Sequence, residues 1–350
     1  MPRWLDAGFS PFRAAFIAGC DDPEPETVFT ISPSLYKDRK KSLNLSPSQP
    51  DALSPEKTAA PPPPSEEIIM QDISDTLLAK QAALVIYAWD MCSKNLRNLT
   101  PEPDERIAHD GWHVCGYISG NDDVDGHHLK EACYGYVARN EAGEFVAVIR
   151  GTTGIMEWID DAKFPLKTPD APFEGKVESG FYSIYRSMQY RPTNRMETLP
   201  LTAGITGLIG DNPLTVIGHS LGSALATYLA LELSANTCRQ HVALRAFASP
   251  RPGNQAFTAY AHQTMLDYLV VNYQHDVVPR LPLLGYSALP NLRMLNTSPH
   301  VAIAGTSTCS HHLISYIALL DKPEFIRVMA QEGTTKDNEQ CARCVTFPAC

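Results

Sequence analysis

A serine stands between two glycines at a point where the sequence changes character. The motif Gly218-His219-Ser220-Leu221-Gly222 follows the β-branched run 215–217 and precedes a long run of good helix formers. A nucleophilic serine must project from a strained turn between a strand and a helix, where neighbouring side chains would collide and glycine fits best. The motif is common by chance, but its strand and helix context favours a nucleophilic role for Ser220.

A nucleophilic serine needs a histidine base, and the histidine needs a carboxylate that fixes its tautomer. In a strand–turn–helix architecture the carboxylate and then the histidine follow the serine along the chain. Asp276 fits because it follows the predicted strand 268–273, and sites in open α/β sheets form beyond the carboxyl ends of strands. The competing interpretation of Asp276 is an ordinary capping or turn aspartate.

Three histidines that follow Asp276 are candidates for the base. His312 is the favoured candidate because it lies at the start of a predicted helix, 311–320; His311 and His300 are the alternatives. His219 and His275 lie too close in sequence to the serine and the aspartate to act as the base. We therefore predict structural roles for those two.

Acyl transfer also requires two hydrogen-bond donors directed at the developing oxyanion. The N–H of Leu221, directly after the serine, is the first. Thr152 follows the predicted strand 145–150 and the flexible Gly151, where the second donor is expected, and its hydroxyl could add a further hydrogen bond.

The elements that must position these groups alternate between strand and helix in the second half of the chain. This alternation indicates an α/β fold with a mostly parallel sheet. Before it, Ser65 is predicted to cap a long helix that extends through Met91, and a hairpin turn at 140–143 joins two strands. The predicted strands are 113–118, 132–138, 145–150, 215–217, 242–247 and 268–273, and the predicted helices after the serine are 221–234, 255–266 and 311–320.

The motifs together resemble those of the class 3 lipases, the family of fungal triacylglycerol lipases and their bacterial relatives. The matching pieces occur in family order over about residues 75–320; they are 149–152, 155–159, Gly180-Phe181, 218–222, 249–254, 276–279, and His312 with Tyr316. Two positions depart from the family pattern. Glu178 stands where a histidine is frequent, and Ala248 stands where many members carry glycine.

The resemblance implies an α/β-hydrolase fold, with a mostly parallel central sheet flanked by helices and a short helical lid. It implies a Ser220–Asp276–His312 triad, with Thr152 and Leu221 as the oxyanion hole. It places the lid around Trp158, which agrees with the shared helical face of Ile155, Trp158 and Ile159, because a lid needs an apolar side to close over an apolar cleft. Packing of Trp158 in the core is the alternative.

Composition limits the remaining possibilities. The 350 residues carry a net charge of -10, which argues against nucleic acid as a partner and against electrostatic docking on anionic membranes. No apolar run approaches the roughly 18 residues that span a bilayer. The nine cysteines are scattered and are expected to be mostly free thiols. Cys341 and Cys344 form a C-x-x-C pair, for which a frayed tail or a local disulfide is favoured over metal or redox chemistry.

The chain divides into three predicted parts. Residues 1–64 form a Pro-rich leader or linker, 65–325 the α/β-hydrolase domain, and 326–350 a polar tail that contains cysteines. Residues 17–20, ending at Cys20, resemble a lipoprotein cleavage site, but the apolar stretch before the cysteine is too short for a signal. A cytoplasmic location is the default expectation, with a leaderless export route or a lipid anchor at Cys20 as alternatives.

These inferences predict a serine carboxylester hydrolase that acts on lipid esters at an oil–water or membrane interface and requires no metal or organic cofactor. Phospholipase A1, a short-chain or feruloyl esterase, and a secreted antibacterial lipase are the alternatives among enzymes. A scaffold protein with an inactive hydrolase fold is disfavoured because no member of the triad is missing. The sequence leaves open the acyl-chain length, the head group and the oligomeric state.

Overall fold

The computed structural model of the protein describes residues 73–122, 130–152, 165–237, 241–330 and 341–348. The predicted leader 1–64 with Cys20, the predicted lid residues Ile155, Trp158 and Ile159, and the terminal Cys350 lie outside these ranges. Among the described residues, no helix combines the length and the apolar character needed to cross a bilayer.

Thirteen strands occur in the described residues, and nine of them join in one sheet. They are β1 (Trp112–Asn121), β2 (Glu131–Asn140), β3 (Phe145–Ile149), β4 (Leu166–Lys167), β5 (Val177–Glu178), β6 (Gln189–Pro192), β7 (Leu199–Pro200), β8 (Leu214–His219), β9 (Val242–Phe247), β10 (Asp267–Tyr273), β11 (Leu292–Leu295), β12 (Ala302–Ile303) and β13 (Val345–Thr346). The order in the large sheet is β11-β10-β9-β8-β3-β2-β1-β6-β7, while β4 pairs with β5 and β12 with β13.

The sheet has a parallel half and an antiparallel half. Strands β3, β8, β9, β10 and β11 pair in parallel, whereas β2, β1, β6 and β7 continue the sheet with antiparallel pairs. The carboxyl ends of the five parallel strands therefore meet at one edge of the sheet, the edge at which the serine and aspartate motifs were expected.

Helices flank the sheet. They are α1 (Asp75–Ser93), α2 (Glu105–His109), α3 (Ser179–Ser187), α4 (Leu201–Ile209), α5 (Leu221–Thr237), α6 (Gln255–Thr264), α7 (Ser307–His311), α8 (Leu313–Leu320) and α9 (Lys322–Ala330). A short 3₁₀ helix spans Val278–Arg280.

Hydrophobic cores lie on both faces of the sheet. On one face the strands pack against α3, α4, α5 and α6, through residues such as Leu225 and Phe257. On the other they pack against α1 and α8, through Leu78 and Ile317. Because both faces are covered, β3 and β9 consist entirely of buried residues, as is typical of parallel strands.

The helix that contains Met91 begins at Asp75, and residues 73 and 74 before it are not helical. The predicted cap, Ser65, lies outside the described residues. The Ser74 hydroxyl accepts a hydrogen bond from the Leu77 N–H at 3.2 Å, which satisfies one of the donors that a helix start leaves without an intrahelical partner.

The predicted helix 311–320 is two helices. Its break lies at His312, whose φ of -66° and ψ of 133° are extended values, and the His312 Nδ1 accepts a hydrogen bond from the Ile314 N–H at 3.3 Å. His312 thus ends α7 and caps α8, which separates it in direction from His311.

The described part of the predicted tail packs on the domain. The predicted boundary at residue 325 falls inside α9, and β13 pairs with β12. A disulfide between Cys309 and Cys344 joins this region to α7, and a second disulfide joins Cys92 of α1 to Cys133 of β2. Four of the six described cysteines are in disulfides, so the expectation of mostly free thiols is wrong for the described part of the chain. Cys344 is bonded to a distant cysteine and not to Cys341.

The fold is an α/β hydrolase, as the sequence predicted. A central sheet with a parallel half is flanked by helices, and the chain passes from β8 through a sharp turn at Ser220 into α5. This strand–turn–helix unit is the feature that places a nucleophile above the carboxyl edge of the sheet in that architecture.

The Cys309–Cys344 disulfide predicts a loss of stability on its removal. The double variant Cys309→Ala/Cys344→Ala should lower the free energy of unfolding by about 2–4 kcal/mol, because the bond closes a loop of 35 residues. Urea unfolding monitored by circular dichroism measures the change.

Cys115→Ala is the control, since Cys115 is not in a disulfide and is half-buried. This variant should change the unfolding free energy by less than about 0.5 kcal/mol. Equal urea midpoints for the double variant and the unmodified protein would contradict the prediction.

Candidate active site

Ser220 occupies a strained turn between β8 and α5. Its φ is 57°, in the left-handed region that residues with a side chain rarely adopt. The turn is fixed on both sides by hydrogen bonds, from the Ser220 N–H to the Phe247 carbonyl at 3.0 Å and from the Ser223 N–H to the Ser220 carbonyl at 2.8 Å. The backbone therefore holds the serine in a conformation that it would not adopt alone.

The two glycines of the motif are required by close backbone approach. A Cβ added at Gly218 would clash with the backbone carbonyl of Gly222, and one added at Gly222 would clash with the carbonyls of Ile149 and Arg150. The sequence argument for glycine at these positions is confirmed: the end of β8 and the start of α5 can lie this close together only without side chains.

Ser220, His311 and Asp276 form one line of hydrogen bonds. The Ser220 Oγ lies 2.8 Å from the His311 Nε2, and the His311 Nδ1 lies 2.8 Å from the Asp276 Oδ2. Ser220 and Asp276 are each only 1% exposed. This arrangement allows the imidazole to take the hydroxyl proton at one nitrogen while the carboxylate accepts a hydrogen bond from the other.

The prediction that His312 is the base is wrong, because the structure places His311 in that position. The helix is interrupted at His312, so only the last residue of α7 faces Ser220 and Asp276. The His312 ring instead caps α8, and burial lowers the pKa of His312 to about 4. The alternative His300 is exposed and its N–H bonds the Ser298 hydroxyl. Thr306 caps the start of α7, a helix start that the sequence analysis did not identify.

Asp276 follows β10, as the sequence predicted, and three donors surround it. Besides His311, the Val278 N–H donates to its Oδ1 at 3.0 Å and the Tyr316 hydroxyl donates to its Oδ2 at 2.7 Å. The Tyr316 hydroxyl also accepts a hydrogen bond from the Tyr273 N–H at 3.0 Å. Burial and the negative charge of Asp276 raise the pKa of Tyr316 well above its ordinary value, so the hydroxyl keeps its proton and remains a donor.

The predicted oxyanion donors lie beside Ser220. Leu221 is the first residue of α5, and the N–H groups of a first helical turn have no acceptor within the helix. Thr152 follows β3, whose residue Ile149 is paired in register with Gly218 of β8. A Cβ added at Gly151 would lie 3.1 Å from the Ser220 Cβ, so the residue before Thr152 lies next to the serine.

Arg150 holds the Gly151–Thr152 loop through contacts that the sequence analysis did not predict. Its Nε donates to the Cys133 carbonyl at 2.8 Å, and its guanidinium donates to the Gly151 carbonyl at 2.6 Å. The guanidinium lies over the rings of Trp89 and Tyr134, 5.6 Å and 5.2 Å from their centroids. Burial lowers the pKa of Arg150, and the aromatic faces and carbonyls offset part of the cost of burying the charge.

The two departures from the family pattern lie outside the line of hydrogen bonds. Glu178 caps α3, where its Oε2 accepts a hydrogen bond from the Phe181 N–H at 2.6 Å, and burial raises its pKa. Ala248 has a φ of 50°, which explains why glycine suits this position. Within the described ranges, no group of three or more metal-ligating side chains comes together.

One family profile and several curated proteins are similar in sequence to this chain. Residues 146–286 match the family profile described as Lipase (class 3). The chain is 30% identical over 192 residues to phospholipase A1-II 1 of Oryza sativa subsp. indica, covering 50% of this chain and 49% of that protein. It is 30% identical over 179 residues to secreted mono- and diacylglycerol lipase A of Penicillium cyclopium, covering 49% of this chain and 55% of that protein.

The chain thus spans about half the length of these curated relatives. Among solved structures, a triacylglyceride lipase of Rhizomucor miehei superposes with a TM-score of 0.48 at 20% identity, covering 64% of this chain and 82% of that one.

Replacing each of the two adjacent histidines distinguishes their roles. His311→Ala should slow the labelling of Ser220 by a fluorophosphonate probe by about three orders of magnitude or more, because the hydroxyl loses the group that takes its proton. His312→Asn should retain labelling within about threefold, because asparagine can also cap α8. Mass spectrometry of the labelled peptide gives both rates. Fast labelling of His311→Ala with slow labelling of His312→Asn would reverse the assignment.

Proposed function

We propose that this chain, whose residues 146–286 belong to the class 3 lipase family, is a serine carboxylester hydrolase that cleaves lipid esters. The observation that carries the proposal is the line Ser220–His311–Asp276, with both hydrogen bonds at 2.8 Å. The family supports an ester of a lipid as the substrate, and the geometry supports an acyl-enzyme route through Ser220.

In the first half of the reaction, the His311 Nε2 accepts the Ser220 hydroxyl proton as the Oγ attacks the ester carbonyl carbon. The imidazolium is stabilised by Asp276, which accepts the hydrogen bond from Nδ1. The carbonyl oxygen becomes an oxyanion, for which the N–H groups of Leu221 and Thr152 are the proposed donors. Collapse of the tetrahedral intermediate breaks the ester C–O bond, and His311 returns the proton to the leaving alcohol.

In the second half, water replaces the alcohol. The His311 Nε2 accepts a proton from the water as its oxygen attacks the acyl carbon, and the Ser220 Oγ leaves with that proton to release the fatty acid. Ser220, His311 and Asp276 thus each act twice, once in acylation and once in deacylation. We retain from the sequence the proposal that the segment with Ile155, Trp158 and Ile159 forms a lid over this site.

The head group of the substrate divides the candidate activities. The two relatives described above are a phospholipase A1 and a mono- and diacylglycerol lipase, so the family is compatible with both phospholipids and neutral glycerides. Rates on triolein, diolein and phosphatidylcholine, measured beside a chain-length series of p-nitrophenyl esters, separate a glyceride lipase from a phospholipase A1 and from a short-chain esterase.

Two exposed leucines support a lipid surface as the physical form of the substrate. Leu283 and Leu284 are 65% and 91% exposed in the loop that follows the 3₁₀ helix Val278–Arg280, directly after Asp276. The Arg251 N–H donates to the Leu281 carbonyl at 2.7 Å, and Arg251 also follows a parallel strand, β9. The leucines therefore lie at the same carboxyl edge of the sheet as the serine, where an oil or membrane surface would meet the site.

Replacing Ser220 tests the proposed function directly. Ser220→Ala should lower ester hydrolysis by about 10⁴-fold or more, because the variant lacks the proposed attacking oxygen. The thermal unfolding midpoint should not fall, since alanine is accommodated at least as well as serine at this buried position. The assignment fails if more than a few per cent of the activity survives in a preparation free of host esterases.

Replacing the exposed leucines tests the lipid surface separately. Leu283→Ser/Leu284→Ser should reduce binding to phosphatidylcholine vesicles and hydrolysis of an emulsified ester by about tenfold or more, because burial of one leucine contributes about 1.5–3 kcal/mol. Hydrolysis of soluble p-nitrophenyl butyrate should stay within about twofold of the unmodified rate, because the serine and its partners are untouched.

Met196→Ser is the matched control. Met196 is fully exposed in the connection between β6 and β7, at the opposite end of the sheet from β10 and β11. This variant should bind and hydrolyse lipid as the unmodified protein does. Equal losses for the leucine and methionine variants would show a general effect of surface hydrophobicity and would contradict a specific docking edge.

A further inference from the structure

His219 makes two contacts to the proposed base, although the sequence predicted only a structural role for it. Its Nε2 lies 2.9 Å from the His311 backbone carbonyl, and the two imidazole rings lie 4.9 Å apart at an interplanar angle of 33°. His219 is the last residue of β8 and directly precedes Ser220. One side chain therefore connects the strand end that carries the serine to the helix end that carries the base.

The His311 carbonyl lies at the C-terminal end of α7 and needs a hydrogen-bond donor from outside the helix. In a continuous helix the Ser315 N–H would donate to it, but that N–H donates to the His312 carbonyl at 2.9 Å. Helix ends generally leave such carbonyls to be satisfied by side chains or water. The His219 ring fulfils that requirement at the residue whose side chain faces Ser220.

The other bonds that restrain this end of α7 are made by neighbours of His311, such as the His312 N–H, which donates to the Thr308 carbonyl at 2.9 Å. The helix has five residues, too short to be stable alone. The Cys309–Cys344 disulfide and the hydrogen bond from the Ser315 hydroxyl to the Cys309 carbonyl, at 2.7 Å, hold it two residues before the base. Asp276 and Ser220 contact the His311 side chain, whereas the described contact to its backbone carbonyl comes from His219.

We propose that His219 is a positioning residue for His311. The His219 Nε2–H donates a hydrogen bond to the His311 carbonyl and thereby fixes the His311 imidazole relative to Ser220. The inference rests on the proposed role of His311 as the base. Because β8 sets the position of both His219 and Ser220, the contact defines the Oγ–Nε2 distance from the strand that carries the nucleophile.

The protonation state of His219 suits this role. A neutral imidazole has one N–H, and its donation to a carbonyl requires that hydrogen to be on Nε2. Burial lowers the pKa of His219 well below its ordinary value, and a positive charge on His311 lowers it further. His219 therefore stays neutral while His311 holds the proton taken from Ser220. His311 is then the histidine that accepts the serine proton.

Three variants of His219 test the proposal with a soluble p-nitrophenyl ester. His219→Phe keeps a ring without the donor, and His219→Asn keeps an amide that is too short to reach the carbonyl. Both should lower kcat by about 10- to 100-fold with KM within about twofold, because misplacement of a reacting group acts on the chemical step. His219→Gln, whose amide nitrogen can reach the carbonyl, should recover kcat to within about threefold of the unmodified enzyme.

The control is His262→Phe. His262 lies on α6, away from the serine, and its Nδ1 is 2.7 Å from the Tyr268 hydroxyl. The kcat of this variant should not change. A proton NMR spectrum adds a readout that general loss of packing would not move: the low-field signal of the His311 Nδ1–H should shift or broaden in His219→Phe and His219→Asn, and return in His219→Gln. Urea midpoints verify that the variants are folded.

Two results would overturn the proposal: an unchanged kcat in both His219→Phe and His219→Asn, or a low kcat in His219→Gln equal to theirs. If His219→Phe does not fold, His219→Asn and His219→Gln decide between them. The rate of fluorophosphonate labelling of Ser220 separates this inference from the proposed function. A protein that labels rapidly but cleaves no lipid ester would refute the substrate class, while the order of the variants in labelling would still test His219.

Discussion

The left-handed backbone at Ser220 is the constraint on which the site depends. The conformation is unfavourable for serine and persists because neighbouring elements hold it: β9 accepts the Ser220 N–H, and the glycines on either side let α5 begin against the end of β3. The parallel pairing of β3, β8 and β9 fixes these carbonyls before any side chain acts. The strain at one residue is thus balanced by the register of three strands.

A second constraint follows from burial of the charge that the reaction uses. Asp276 is almost completely buried, and a buried carboxylate is costly unless hydrogen-bond donors surround it. Three donors from three elements converge on it: the Val278 N–H, the Tyr316 hydroxyl and the His311 ring. Since two of them bind the same oxygen, the position of the carboxylate also determines the tautomer and orientation of the imidazole.

The site residues that are specified by local sequence were predicted correctly. The site residues that depend on an interruption between two helices, or on a partner distant in sequence, were not. The turn at Ser220 and the aspartate after β10 follow from strand ends and glycine spacing, which are local signals. The choice between His311 and His312 depends on a break of one residue between two helices, and periodicity cannot resolve the end of a helix to one residue.

The disulfide partners could not be paired from spacing, because Cys309 and Cys344 are 35 residues apart in sequence and lie close together where β12 pairs with β13. The same reason explains why Arg150, Tyr316 and His219 were missed as supports of the site. Arg150 binds the Cys133 carbonyl, Tyr316 the Asp276 carboxylate and His219 the His311 carbonyl, and each of these partners is remote in sequence. A backbone carbonyl is present at every residue, so the sequence does not indicate which side chain will bind it. A site of this kind is therefore specified twice: its reacting groups by local motifs, and the distances between them by contacts that only the assembled sheet creates.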